Sequence, residues 1–286
     1  VNAPAYTITT YERRLRGVVQ ELLTHNFYVH THLDWYEVDD WLANAGASVR
    51  VAYADRRVAG ILGISPPLDG AVWVRVAAVG DRYKASAVLN ALWQDMLPEL
   101  HALGATQAAI LLLRDWPAKF LPTIGFHYLE DIITLRRSDA APPDETLVPG
   151  IEVRQARDED TAAIVHIDHA AFAPPWQMGA DELTHAERSS AHSTVAVTDT
   201  GQIIGYQMST LYFDGAHLAR LAVHPQAQAH GVGHLLVGSM LRHFNRRGVY
   251  SVSVNTQEDN TASQRLYTSF GFTRTGYDLP VWVMPL

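Results

Sequence analysis

Apolar and polar positions along the chain switch between a helical period and a strand period, and the order of the switches runs twice. Leu15, Val18, Val19, Leu22 and Leu23 recur at i, i+3, i+4, i+7 and i+8, one buried face within a stretch, 11–43, that reads as helical. Ser48 to Ser65 alternates, turns at Asp55 to Arg57 and resumes, which predicts a hairpin. Ala71 to Val79 predicts a strand, Ala87 to Leu103 a helix stopped by Gly104, and Ala108 to Leu113 a buried strand. A short helix over 117–124 and a strand from His127 to Arg136 close this series. Residues 138–150, rich in proline and acid with little to bury, predict a linker.

The second series follows in the same order. Ile151 to Arg154 predicts a strand, Asp158 to Phe172 a helix with Ile164, Ile167 and Ala171 inward, and Asp181 to Arg188 a short helix. Thr194 to Thr198 and Ile203 to Leu211 predict a hairpin around Asp199 to Gly201, and 216–223 the next strand. Helix 232–246 is stopped by Gly248, Tyr250 to Val254 reads as a strand, Asn260 caps helix 261–269, and two terminal strands are expected around Asp278 to Pro280. Setting Met240 on Met96 places Val223 on Val79 and Leu236 on Leu92, and Gly271-Phe272 then matches Gly125-Phe126 with two extra residues. The expected architecture is α/β of the α+β type: two similar domains, 1–137 and 151–286, each a mixed, mostly antiparallel sheet flanked by helices.

Charge and composition narrow the chemistry. The net charge is −8; residues 1–150 carry 13 basic and 17 acidic side chains and residues 151–286 carry 9 and 13, so each half stands at −4 without a basic tail. Binding to a nucleic-acid backbone is disfavoured. No cysteine is present, which removes disulfides, thiolate metal sites and cysteine nucleophiles and fits a reducing cytoplasm. No apolar run approaches the roughly 20 residues of a membrane span, and no cleavable leader is expected after Val1. His30, His32 and Asp34 have a spacing that one side of a strand could turn toward a metal, but packing histidines beside Trp35 and Trp41 are the simpler reading, and no metal is expected.

The stretch from Leu221 to Gly233 carries the most specific signal. A strand ends at Pro225, a polar loop follows, and Gly231 and Gly233 open a helix whose Leu235, Leu236, Met240 and Leu241 fall at helical spacing. Two glycines there cost about 1 kcal/mol each relative to alanine, and a phosphate approaching free N–H groups at the positive helix end is the usual compensation. No Walker loop is present, and Leu236 occupies the place of the third glycine in a dinucleotide fingerprint. The run Gln228-Ala229-His230-Gly231-Val232-Gly233, with Val223 and Pro225 upstream, resembles the coenzyme A loop of the GNAT N-acetyltransferase superfamily. Asn260, Ser263, Leu266, Tyr267, Gly271 and Phe272 resemble that family's second cofactor motif. The whole chain is similar to tandem GNAT proteins, an arrangement also seen in mycothiol synthases. In the first copy Lys84, Ala87 and Leu89 replace Gln228, Gly231 and Gly233, and Leu121 replaces Tyr267, so that copy is expected to be a degenerate, non-catalytic partner; a second working site using other residues is the other reading.

The resemblance implies acetyl-CoA as co-substrate, seated by Leu221, Val223, Gln228 to His234, Asn260, Ser263 and Tyr267. It implies direct attack of an amine on the thioester, with Tyr267 as general acid. From reference values near 10 for tyrosine and 8.5 for a thiol, that proton transfer is uphill by about 2 kcal/mol. The base is open. His217 is the candidate, on the expectation that it shares the two-residue phase of Val223; a structural histidine or a base acting through water competes, with Glu258 in reserve. Phe172 to Trp176 resembles the acceptor-side loop of ribosomal-protein alanine acetyltransferases, and the acceptor site is expected to be built from Phe172 to Met178 and from Tyr277 to Pro280. The acceptor would be a small-molecule amine or a peptide N-terminus; a non-catalytic acyl-CoA sensor or scaffold is the alternative.

Overall fold

The computed structural model describes residues 6–33, 35–44, 48–145 and 147–286. The chain divides into two compact units, 1–130 with 279–286, and 131–278. The first holds β1 (Thr7–Thr10), α1 (Arg16–His25), β2 (Tyr28–Thr31), α2 (Val38–Asn44), β3 (Ser48–Ala54), β4 (Arg57–Ile64), β5 (Ala71–Val79), α3 (Ala85–Ala102) and β6 (Gln107–Leu111). Next comes β7 (His127–Ser138). The second unit then holds β8 (Ile151–Gln155), α4 (Thr161–Ala171), α5 (Ala180–Ser189), β9 (His192–Thr198), β10 (Ile203–Tyr212) and β11 (Gly215–Val223). It continues through α6 (Val232–Arg246), β12 (Ser251–Gln257), α7 (Thr261–Ser269) and the start of β13 (Thr273–Pro285). The sheet is mixed and mostly antiparallel in each unit, as expected.

The same device recurs in both units. β5 runs parallel to β6 for three residues only, Ala71 to Trp73, and β11 runs parallel to β12 for three, Ala216 to Leu218. Each strand carries a bulge just after that pairing. Gly63 faces Val76 while Ile64 faces Val74, and Met208 faces Arg220 while Ser209 faces Leu218. The extra residues, Arg75 and Ala219, match in the alignment that sets Val79 on Val223. A bulge adds a residue to one strand and bends it.

The structure departs from the sequence reading where backbone pairing overrides local pattern. The stretch 11–43 is not one helical region: α1 stops at Asn26, whose Nδ2 donates to the Leu22 carbonyl, and Tyr28–Thr31 pairs with Val76 to Val79. Within α1 only Val19 and Leu22 are buried, and Val18 is exposed. The helix expected over 117–124 is two 3-10 turns, and the two expected terminal strands are one, β13, with Pro280 just ahead of its first pair with β6 at Val281. The units also divide the chain differently from 1–137 and 151–286. Residues 132–138 pair with β12 in the second unit, and Val281 to Pro285 pair with β6 in the first. The linker is fastened as well: Arg242 and Asn245 of α6 donate to the carbonyls of Asp144 and Ala140. No described helix is long and apolar enough to cross a membrane.

His30 is buried on β2, and His32 packs edge-on to Trp73 at 5.6 Å; Asp34 lies outside the described residues, among which no metal-holding group of side chains occurs. His30 borders an otherwise apolar cavity of about 30 Å³ with Leu62, Trp93, Trp116 and Phe120. Neither ring nitrogen makes a well-formed hydrogen bond. Burial, then the neighbouring His32, pushes its pKa down to about 3, and backbone at Val74 offsets this only in part. The unfolded chain takes up this proton near pH 6.5 and the folded one only near 3, so the stability tied to the neutral ring is complete above 6.5 and is lost as pH falls toward 3. His30→Leu is therefore expected to raise unfolding free energy near neutral pH by about 1–3 kcal/mol, and to flatten the acid-side fall in melting temperature. A variant with the native acid profile would contradict this.

Candidate active site

The site is built on β11. Before the bulge, Ala216 and Leu218 pack under α6 against Met240, Leu241 and Phe244; after it, Leu221 and Val223 face the same helix, against Val232 and Leu236. The bulge at Ala219 thus reverses the alternation. His217 and Val223 lie on opposite faces, contrary to the expected shared phase, because the two-residue rule holds only along an unbroken ladder. His217 sits in the paired part of the strand, with Nδ1 2.9 Å from Ser253 Oγ. Beyond Leu218 the two parallel strands part. β12 goes on pairing with β7, and β11 with β10. Among the described residues no strand pairs with the other edge of Arg220 to Val223. In the first unit the corresponding edge, Val76 to Val79, is taken up by β2.

After β11 the chain makes a 3-10 turn, Pro225–Ala227, and Gln228 Nε2 donates to the Val223 carbonyl at 3.0 Å. Ala229 and Gly231 then take positive φ, 62° and 82°. Among the described residues the amides of Ala229 to His234 make no hydrogen bond of good geometry, only the loose contacts of the turn over 228–231, so six N–H groups cluster at the start of a helix of 15 residues. Such a concavity suits an anion. The glycines also have internal reasons. A Cβ on Gly231 would lie 3.0 Å from Val148 Cγ2, and one on Gly233 would lie 3.1 Å from Leu266 of α7.

Asn260 caps α7, its Oδ1 accepting from the Ser263 amide at 3.0 Å. Tyr267, buried on α7, packs against Phe272 with ring centres 5.8 Å apart. Burial alone pushes its pKa up. The reckoning from reference values therefore understates the uphill step from this phenol to a thiolate. The ring of His234 packs on Phe270 at 4.4 Å, joining α6 to α7. Glu258 is half exposed and ion-paired to Arg274, which also holds Asp278.

On the other face of β11 lies a group the sequence reading missed. Asp168 of α4, fully buried, receives Arg220 Nε at 2.8 Å and the hydroxyl of the equally buried Tyr206. The Arg220 guanidinium stands 3.8 Å over the Phe172 ring and donates to the Trp176 carbonyl at 2.7 Å. Phe172 and Trp176 are thus brought together around Arg220, while Tyr277 is exposed on β13. The available signal was an arginine inside an apolar strand and an aspartate beside Ile164 and Ile167 on an inward helix face, both costly positions unless paired.

The site is thus a sheet opened between two parallel strands above a left-handed turn and the start of α6. Residues 161–272 match the acetyltransferase (GNAT) family. That match lies within the second unit and supports an N-acetyltransferase enzyme. The chain is 26% identical over 247 residues to the mycothiol acetyltransferase of Nocardia farcinica, covering 80% of each chain. It is 26% identical over 128 residues to the [ribosomal protein bS18]-alanine N-acetyltransferase of Haemophilus ducreyi, covering 45% of this chain and 86% of that one. Its fold matches a tandem GNAT protein from the clavulanic acid biosynthesis pathway with a TM-score of 0.68 at 17% identity, covering 98% of both.

The positive φ of Gly231 gives a direct stability test. Gly231→Ala should cost about 1–2 kcal/mol in denaturant unfolding, the ordinary cost of a left-handed L-residue, and Gly231→Asn less, since asparagine tolerates that region. Equal stability of all three would remove the strain argument.

Proposed function

We propose that the second unit transfers an acetyl group from acetyl-CoA to a primary amine by direct attack in a ternary complex, with one working site per chain. The observation that carries this reading is the cluster of free amides from Ala229 to His234 beside the unpaired edge of β11. The amides of Ala229 to His234 hold the diphosphate at the positive end of α6, with the Gln228 side chain bracing the turn on the Val223 carbonyl. Backbone at Leu221 and Val223 receives the extended arm of the co-substrate, with Asn260 and Ser263 at its flank. Acetyl-CoA, when bound, supplies a thioester carbonyl open to attack. An N–H near Val223 favours negative charge on that carbonyl oxygen.

Tyr267 holds its proton throughout the working pH range, because burial raises its pKa, and it donates the proton to the departing thiolate. Proton removal from the amine falls to His217 beside Ser253, or to water. Phe172, Trp176 and Tyr277 wall the acceptor side. The first unit is read as non-catalytic, since Leu89 fills the second glycine position with a buried side chain and β2 covers the strand edge. The acceptor is an amine of small-molecule or peptide type, in keeping with relatives named for mycothiol and for a ribosomal-protein alanine.

Calorimetry is expected to give one acetyl-CoA per chain, and coenzyme A release is expected with at least one member of a panel of amino sugars, polyamines and alanine-initiated peptides. Tyr267→Phe should lower kcat by about a hundredfold, the usual contribution of a general acid, with acetyl-CoA affinity within twofold of native. Unchanged turnover would remove Tyr267 from the role, and absence of any heat with acetyl-CoA would overturn the reading.

A further inference from the structure

The segment 172–178 between α4 and α5 has no regular secondary structure, so its backbone depends on contacts made from elsewhere. Asp168 Oδ1 accepts from the Met178 amide at 3.0 Å, and Arg220 donates to the Trp176 carbonyl at 2.7 Å. His169 Nε2 lies 2.9 Å from the Met178 carbonyl, and Gln177 reaches back to the His169 carbonyl at 3.3 Å. The first two contacts come from one buried ion pair, with Asp168 wholly buried and Arg220 at 12% exposure. Arg220 adjoins the bulge, and the residues after it form the unpaired edge of β11. The reversal of phase at Ala219 is what turns Arg220 toward α4.

We propose that Arg220, Asp168 and Tyr206 form a positioning device that fixes the loop carrying Phe172 and Trp176 against the open strand edge, and so sets where the acceptor amine lies relative to the acyl group. This rests on the acetyl-transfer reading above. A buried ion pair is a poor source of stability compared with apolar packing of the same volume. What it adds is one defined arrangement: a carboxylate with both oxygens engaged and a guanidinium bonded to one specific carbonyl. The first unit has Val76 at the position of Arg220, so the device belongs to the second unit alone.

Two variants keep the test independent of misfolding. Tyr206→Phe removes one hydrogen bond and leaves the pair. Asp168→Asn combined with Arg220→Gln removes both charges without stranding either. In the double variant the acceptor KM, measured with the fastest amine of the panel, is expected to rise tenfold or more, with acetyl-CoA Kd by calorimetry within twofold of native. Hydrogen exchange at 172–178 should quicken at least tenfold while α6 and β12 keep their protection. Tyr206→Phe should shift both readouts in the same direction, by less. The proposal is overturned if acceptor KM and loop exchange stay native. It is equally overturned if acetyl-CoA and acceptor weaken together with faster exchange in α6, which is general loosening. If the native chain neither binds acetyl-CoA nor acetylates any amine, the acetyl-transfer reading fails, and loop exchange alone then decides whether the three residues anchor 172–178.

Discussion

A strand can satisfy both of its edges only while a neighbour lies on each side, and β11 has two neighbours for three residues. Past Leu218 its backbone keeps β10 on one side and, among the described residues, no strand on the other. Unpaired backbone groups in a sheet interior are costly unless water, a side chain or a ligand meets them. The amides of 229–234 extend the same unpaired state around the turn into α6. The open geometry of the candidate site follows from that shortage of partners, with Ala229 and Gly231 both at positive φ in the turn.

The two units solve this shortage in different ways. Both part their parallel strands after three residues and both bulge at the matching residue. In the first unit β2 lies along the opened edge, Trp116 Nε1 donates to the Val29 carbonyl, and Leu121 is buried in the core. The edge is satisfied internally, and what remains is a small cavity bordered by His30. In the second unit no strand among the described residues lies along the opened edge. The two units share a backbone geometry and differ in the hydrogen bonds that complete it.

Charge is used sparingly in the second unit, and where it is buried it is paired. Asp168 and Arg220 neutralise each other beside the 172–178 loop, and the Tyr206 hydroxyl donates to the same carboxylate. Tyr267 has no charged group acting on its pKa, so only burial shifts it. The two groups lie on opposite faces of β11, Tyr267 in the core under α6 and Arg220 toward α4. A tyrosine in an apolar setting and a buried ion pair across the strand are compatible because the sheet separates them.

The sequence alone determined the duplication, the helix and strand order of the second unit, the cap at Asn260 and the glycine turn. These depend on local rules: periodicity, capping and positive φ act within a few residues. The resemblance of Asn260 to Phe272 to a family motif also brought Tyr267 forward. The face on which His217 lies, the strand within 11–43, the single long β13 and the allotment of 131–138 and 279–286 were decided only in three dimensions. Each depends on which backbone finds which partner across the sheet, and one bulged residue is enough to reverse a phase that the sequence implies. The Asp168–Arg220–Tyr206 group belongs to the same kind: its members lie far apart in the chain, and burial and pairing, absent from any one segment, give them their role.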